Sequence, residues 1–240
     1  MAITAKDVQA LRQSTGVGMM DAKKALEANN GDMEAATQWL RVQGLASAAK
    51  RADREAGEGA VAVVRDGKVA AIVEMRCETD FVAKSDDFTS MVDEIAARVA
   101  AEGEGATAAF QDRLETMLTT LKENISIGRV IRLEAGADEV VETYIHQQSG
   151  RGVNAVAVVV KGGNEEIAHE LCVHIAFAKP QYLTREDVPA EEVAAERATV
   201  EEISRNEGKP EAALPKIIEG RLKGWYKERV LLEQAYVKDE

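Results

Sequence analysis

The sequence predicts an α+β protein with a small all-helical head, a sheet-bearing middle and a helical end. Three observations carry this. Apolar residues recur at helical spacing through the first 44 positions, their period falls to two near residue 60, and from Val188 onward it is helical again. In the middle, the order strand, turn, strand, helix occurs twice, which predicts two related α+β halves packed together.

Thr4 with Asp7 three residues on reads as a capping box, and Val8 and Leu11 supply the apolar stripe of a first helix. After a Thr15-Gly16-Val17-Gly18 turn, a second helix is expected from about Gly18 to Asn29, with Met19 or Met20, Ala22 and Leu26 inward. Neighbours lie about 100° apart around a helix, so a small domain can hardly bury both methionines. Long flexible side chains at a turn either fill irregular gaps in a tiny core or form an adaptable binding surface. Asn30-Gly31 stops this helix, and Asp32 caps a third that carries Met33, Ala36, Trp39 and Leu40 up to Gly44. Residues 1–44 thus match the compact three-helix domain of the ubiquitin-associated type. Residues 45–58, rich in alanine and charge, read as a partly helical linker.

The first core half is expected over 59–135. Ala60–Val64 and Lys68–Cys77 flank an Asp66-Gly67 turn, a strong hairpin signal. Helix 86–101 puts Phe88, Met91, Val92, Ile95 and Val99 on one face, and helix 111–124 does the same with Leu114, Met117, Leu118 and Leu121. Ile127–Leu133 returns as a strand. In the second half, 136–187, Val140–His146 and Val153–Val160 flank a Ser149-Gly150-Arg151-Gly152 turn. Helix 164–178 then carries Ile167, Leu171, Ile175 and Ala178 inward until Pro180. The remainder, 188–240, reads as an antiparallel helical hairpin and tail: one helix over 190–206, another over 211–232, broken at Gly208-Lys209-Pro210.

Charge narrows the partners. Residues 1–56 carry 8 basic and 7 acidic side chains, and the remainder carries 22 and 35, so a body of charge −13 would repel phosphate backbones. Direct nucleic-acid binding is therefore not expected; a protein or small-molecule partner is. No apolar run approaches the ~18 residues of a membrane span, and the N-terminus lacks the order of a signal peptide, so no membrane role and a cytoplasmic location are expected. Cys77 and Cys172 are too far apart in sequence for a metal knuckle and read as buried thiols.

Catalytic motifs are missing. In His169-Glu170-Leu171-Cys172-Val173-His174 the histidines stand five apart, about 140° apart in helical projection, whereas a zinc helix needs them four apart. Gly16-Val17-Gly18 follows a helix rather than a strand, and Lys161-Gly162-Gly163-Asn164 lacks a Lys-Ser/Thr pair. There is no Gly-x-Ser-x-Gly elbow. The sequence predicts no catalytic residue, no metal site and no cofactor.

One corner stands out. After the strand ending at Cys77 come Glu78-Thr79-Asp80-Phe81-Val82-Ala83-Lys84, then a helix capped by Ser85. Phenylalanine is scarce, with four in the chain. Phe81 either folds back under the sheet, as most phenylalanines do, or projects.

Two motifs now combine: Leu11-Arg12…Thr15-Gly16-x-Gly18-Met19-Met20-Asp21-x-Lys23-Lys24-Ala25-Leu26, and Thr79-Asp80-Phe81-Val82-Ala83-Lys84. Together they resemble the elongation factor Ts family, over nearly the whole chain. The resemblance implies a nucleotide exchange factor for the GTPase elongation factor Tu, and no enzyme of covalent chemistry. By motif, Arg12, Met19, Met20 and Lys23 would dock on the partner's nucleotide-binding domain. Asp80, Phe81, Val82, Ala83 and Lys84 would form the exchange element, with Phe81 wedging near the partner's magnesium and phosphate sites. Leu121, Lys122 and His146 would add contacts, as would Val237. The family's hairpin is usually followed by a segment that returns to the core. This sequence reaches Glu240 where that segment would begin, so an exposed sheet edge in the second half is expected. The alternative reading is a ubiquitin-associated-type adaptor that holds a partner through Met19 and Met20 without acting on it.

Overall fold

The computed structural model describes residues 3–238; Met1, Ala2, Asp239 and Glu240, the outermost positions of the expected first and last domains, lie outside them. The chain divides into two compact units, Met1–Glu165 and Glu166–Glu240.

In the first unit, α1 (Ala5–Thr15) starts on the expected capping box. The Asp7 amide donates to Thr4 Oγ1 at 3.2 Å and the Thr4 amide donates to the Asp7 carboxylate at 2.9 Å. α1 ends at Gly16 in the left-handed conformation. α2 (Met19–Ala28) buries Ala22, Ala25 and Leu26. Neither methionine turns inward, which corrects the expectation that one would. Val17, in the turn ahead of the helix, fills the position and packs with Val8, Leu11, Ala22, Leu26 and Leu40.

α3 (Met33–Ala49) runs past the expected stop at Gly44. The segment Leu45-Ala46-Ser47-Ala48-Ala49 is dominated by strong helix formers. Gly44 also lets the helix lie close on α6 (Gln111–Thr120): a Cβ there would stand 2.3 Å from Thr119 Cγ2. The first five residues of the expected linker are therefore helix, and 50–57 is irregular.

β1 (Glu58–Asp66) and β2 (Val69–Cys77) pair antiparallel from Asp66↔Val69 to Glu58↔Cys77, about the expected turn. A single helical turn, α4 (Asp80–Ala83), leads into α5 (Asp86–Glu102), and a 3₁₀ segment, Glu104–Phe110, leads into α6. β3 (Ser126–Glu134) pairs with β2, with a bulge between Val73 and Met75. β4 (Glu139–Gln148) and β5 (Arg151–Lys161) form the second hairpin about Ser149 and Gly150, both at positive φ.

The strand order is β3-β2-β1-β5-β4, one five-stranded sheet. The two expected hairpins are adjacent blocks of this sheet. They join where Val61 pairs with Gly152, whose missing Cβ would otherwise stand 2.2 Å from the Val61 carbonyl oxygen. Joining removes two of the edges that separate hairpins would expose and leaves β3 and β4 as the outer strands.

α5 buries the predicted Phe88, Met91, Val92, Ile95 and Val99 against Ala60, Ala62, Ala71, Val73 and Met75. Full burial of such a side chain is worth about 1.5–3 kcal/mol each. α6 adds Met117, with Leu114, Leu118 and Leu121 at the margin, and stops at Thr120, short of the expected 124.

The second unit holds α7 (Glu165–Ala178), α8 (Ala190–Asn206) and α9 (Leu214–Arg229). α7 buries Ala168, Cys172 and His174; of the residues expected inward, Leu171, Ile175 and Ala178 are half-buried and Ile167 is exposed. α8 and α9 pack through Val200, Leu214, Ile218 and Leu222, and the ion pairs Arg197–Glu219 and Glu207–Arg221 link them. No helix among the described residues is long and apolar enough to cross a membrane.

Candidate functional site

The corner between β2 and α5 is built almost wholly from hydrogen bonds. Thr79 caps α4, its Oγ1 accepting from the Val82 amide at 3.4 Å. The same hydroxyl donates to Glu123 Oε1 at 2.5 Å, and Glu123 Oε2 accepts the amides of Glu78 and Thr79 at 3.0 and 3.1 Å. The Asn124 amide donates to Glu78 Oε1 at 2.6 Å, and Arg54 lies 3.4 Å from the same carboxylate. Asn124 Nδ2 reaches back to the carbonyls of Ala52 and Arg54. Lys84 closes the turn on Asp80 at 2.5 Å, and its hydrogen bond holds the Asp80 carboxyl below the usual range.

On this turn Ala83 is fully buried and Val82 half-buried against the core, while Phe81 is 83% exposed. The sheet core is already filled by α5, so Phe81 projects. Burial pushes the thiol of neighbouring Cys77 up to about 11, and Cys77 Sγ donates to the Thr79 carbonyl at 3.2 Å.

The start of α2 is another exposed apolar point: Met19 is 47% and Met20 70% exposed. Arg12 and Lys23 are exposed beside them in the sequence, and Lys23 pairs with Glu27 at 3.7 Å along the helix. A family model, described as elongation factor TS, matches residues 78–240. The elongation factor Ts of Clavibacter michiganensis is 47% identical over 98% of this chain and 89% of its own length. That of Ruegeria pomeroyi is 44% identical over 99% and 84%, and that of Kineococcus radiotolerans 42% over 99% and 90%.

The chain belongs to the elongation factor Ts family. Membership makes it a translation elongation factor of the nucleotide-exchange class. The other positions singled out by the family motif are less uniform. Leu121 is half-buried on the core, and Lys122, at a φ of +60°, pairs with Asp21 of α2 at 2.6 Å. Lys122 therefore links the head to the core. His146 is exposed on the edge strand β4, beside a bulge and 3.4 Å from the Tyr144 hydroxyl. Val237 lies in the second unit, where its amide donates to His174 Nδ1 at 3.3 Å.

No sequence signal marked Glu123 or Asn124. Their partners lie 44 and 46 residues earlier, and a polar pair between a helix and a strand is ordinary loop composition.

Proposed function

We propose that this member of the elongation factor Ts family binds the GTPase elongation factor Tu and accelerates GDP release by inserting the Phe81 corner near the partner's magnesium and phosphate site. The observation that carries the reading is an exposed phenylalanine on a turn whose backbone is fixed by its neighbours. Residues 1–44, read as a ubiquitin-associated-like domain, would dock through Arg12, Met19, Met20 and Lys23. Lys122 and His146 offer exposed contact points on the core, and Leu121 offers its uncovered part. The helices of 188–240 are read as a hairpin.

Magnesium and the β-phosphate hold a nucleotide chiefly by electrostatic contacts, so a small displacement of their ligands weakens the bound state. A rigid aromatic wedge can impose that displacement without covalent chemistry or a cofactor of its own. Each tenfold faster release needs about 1.4 kcal/mol off the barrier, and a desolvated aromatic anchor is worth about 2–4 kcal/mol. Linkage requires that GDP weaken binding of this chain as much as the chain weakens binding of GDP. Release of fluorescent GDP from elongation factor Tu, followed with increasing chain, tests the proposal. Saturable acceleration is expected; binding without acceleration would leave an adaptor and overturn it.

A further inference from the structure

We propose that Glu123 is a positioning residue for nucleotide exchange: its carboxylate clamps the turn that presents Phe81, so that the wedge arrives preformed. The inference rests on the exchange reading above, and its geometry is independent of it. An exposed four-residue helical turn has little to hold it in place by itself, because helix nucleation is unfavourable and stability normally comes from packing. Only Ala83 of α4 is fully buried. Beside the Lys84–Asp80 pair, what holds the turn on the core is one carboxylate that takes three donors, the two amides entering the corner and the Thr79 hydroxyl. Thr79 then spends its remaining acceptor capacity on the Val82 amide, so the clamp reaches the residue after Phe81.

Charge-assisted hydrogen bonds of this kind are roughly twice as strong as neutral ones. Glu123 itself is held in place, since its neighbours on either side are engaged: Lys122 with Asp21 of α2, and Asn124 with Glu78, Ala52 and Arg54. The exposed Lys122–Asp21 pair adds little energy, but it puts the start of α2 and the Phe81 corner on consecutive residues of one loop. Without the clamp, the turn would have to order during the encounter, and ordering a segment at that moment draws on the interaction that should drive exchange.

The test uses the full chain and three variants: Glu123→Ala, Glu123→Gln and Phe81→Ala. Glu123→Ala is expected to lower the maximal rate of GDP release about tenfold while the half-saturating concentration changes less than about twofold. A merely destabilised chain would do the reverse, since more total protein would restore the same maximum. Glu123→Gln keeps the shape and an acceptor oxygen, and is expected to recover most of the rate. On a Phe81→Ala background, Glu123→Ala is expected to have no further effect on the maximum, because it acts through Phe81. In the free chain, the amides of Glu78, Thr79 and Val82 are expected to exchange at least tenfold faster in Glu123→Ala, with α5 unchanged. An unchanged maximal rate, additive losses in the double variant, or corner amides that stay protected would each overturn the positioning role. If the unmodified chain fails to accelerate release, the exchange reading fails, and the amide measurement alone then decides whether Glu123 holds the turn.

Discussion

The first turn of α2 and the corner before α5 both leave large apolar side chains in solvent, and they are built in opposite ways. Met19 and Met20 stand on a ten-residue helix whose other face is packed on Val8, Leu11 and Val17. The backbone there is rigid and the side chains are unbranched and adaptable. Phe81 stands on four residues of which only Ala83 is fully buried, and hydrogen bonds from outside the turn set its backbone. There the side chain is stiff and the support is polar. An adaptable pair on a firm helix suits gripping a surface in register; a stiff ring at a fixed point suits displacing something.

Truncating each site should separate these roles. Phe81→Ala is expected to reduce the maximal rate of GDP release by about 30–100-fold, the lower part of the range of a central aromatic anchor, with little change in half-saturation. Because the ring is exposed, melting should be unaltered; a comparable loss of stability would mean that Phe81 packs inward and would erase the contrast. Met20→Ala is expected to do the opposite, raising the half-saturating concentration about tenfold and leaving the maximal rate in place. Met20→Leu should stay within about threefold of the unmodified chain, since a hydrophobe of similar volume can regrip the same surface. If Met20→Ala lowers the maximum instead, both sites act on the nucleotide and the division of labour is wrong.

How far these sites were legible in the sequence depended on the range of the forces that make them. The Asp66-Gly67 hairpin, the apolar face of α5 and the bounds of α8 are set by neighbours in sequence, and periodicity found them. The two motifs lie on short continuous segments and could be read directly. The union of two hairpins into one sheet was not legible, because it rests on Val61 meeting Gly152 across the chain, at a glycine that looks like any turn glycine. The inward place of Val17 was missed for a related reason: periodicity assigns the inner face of a helix but says nothing of a residue in the turn before it. Glu123 was hidden twice over, by distance in sequence and by the ordinariness of a glutamate in a loop.

The smallest expected effect concerns the supports of the two regions under acid. On β2, three residues before Cys77, burial alone would raise the Glu74 carboxyl, but hydrogen bonds from Arg76 and from the amide and side chain of Arg129 outweigh it and hold it at about 2. A carboxyl depressed from an ordinary 4.5 contributes stability that is complete above pH 4.5 and is lost as pH falls toward 2. Both arginines are substantially exposed, so solvent screening leaves about 1 kcal/mol of this. In the head, Asp7 is also held below its usual range, first by the Thr4 hydroxyl, but it lies at the surface, where solvent screens the effect. Acid should therefore loosen the strand leading to Phe81 more than the helices carrying Met19 and Met20. Urea unfolding at pH 6 and pH 2.5 for the unmodified chain and Glu74→Gln measures it. The variant is expected to be less stable at pH 6 and nearly equal at pH 2.5, because protonation of the unfolded carboxyl removes the advantage of keeping it ionised. A gap that stays constant with pH would show that Glu74 works by shape rather than charge, and the sheet would then be no more acid-sensitive than the head.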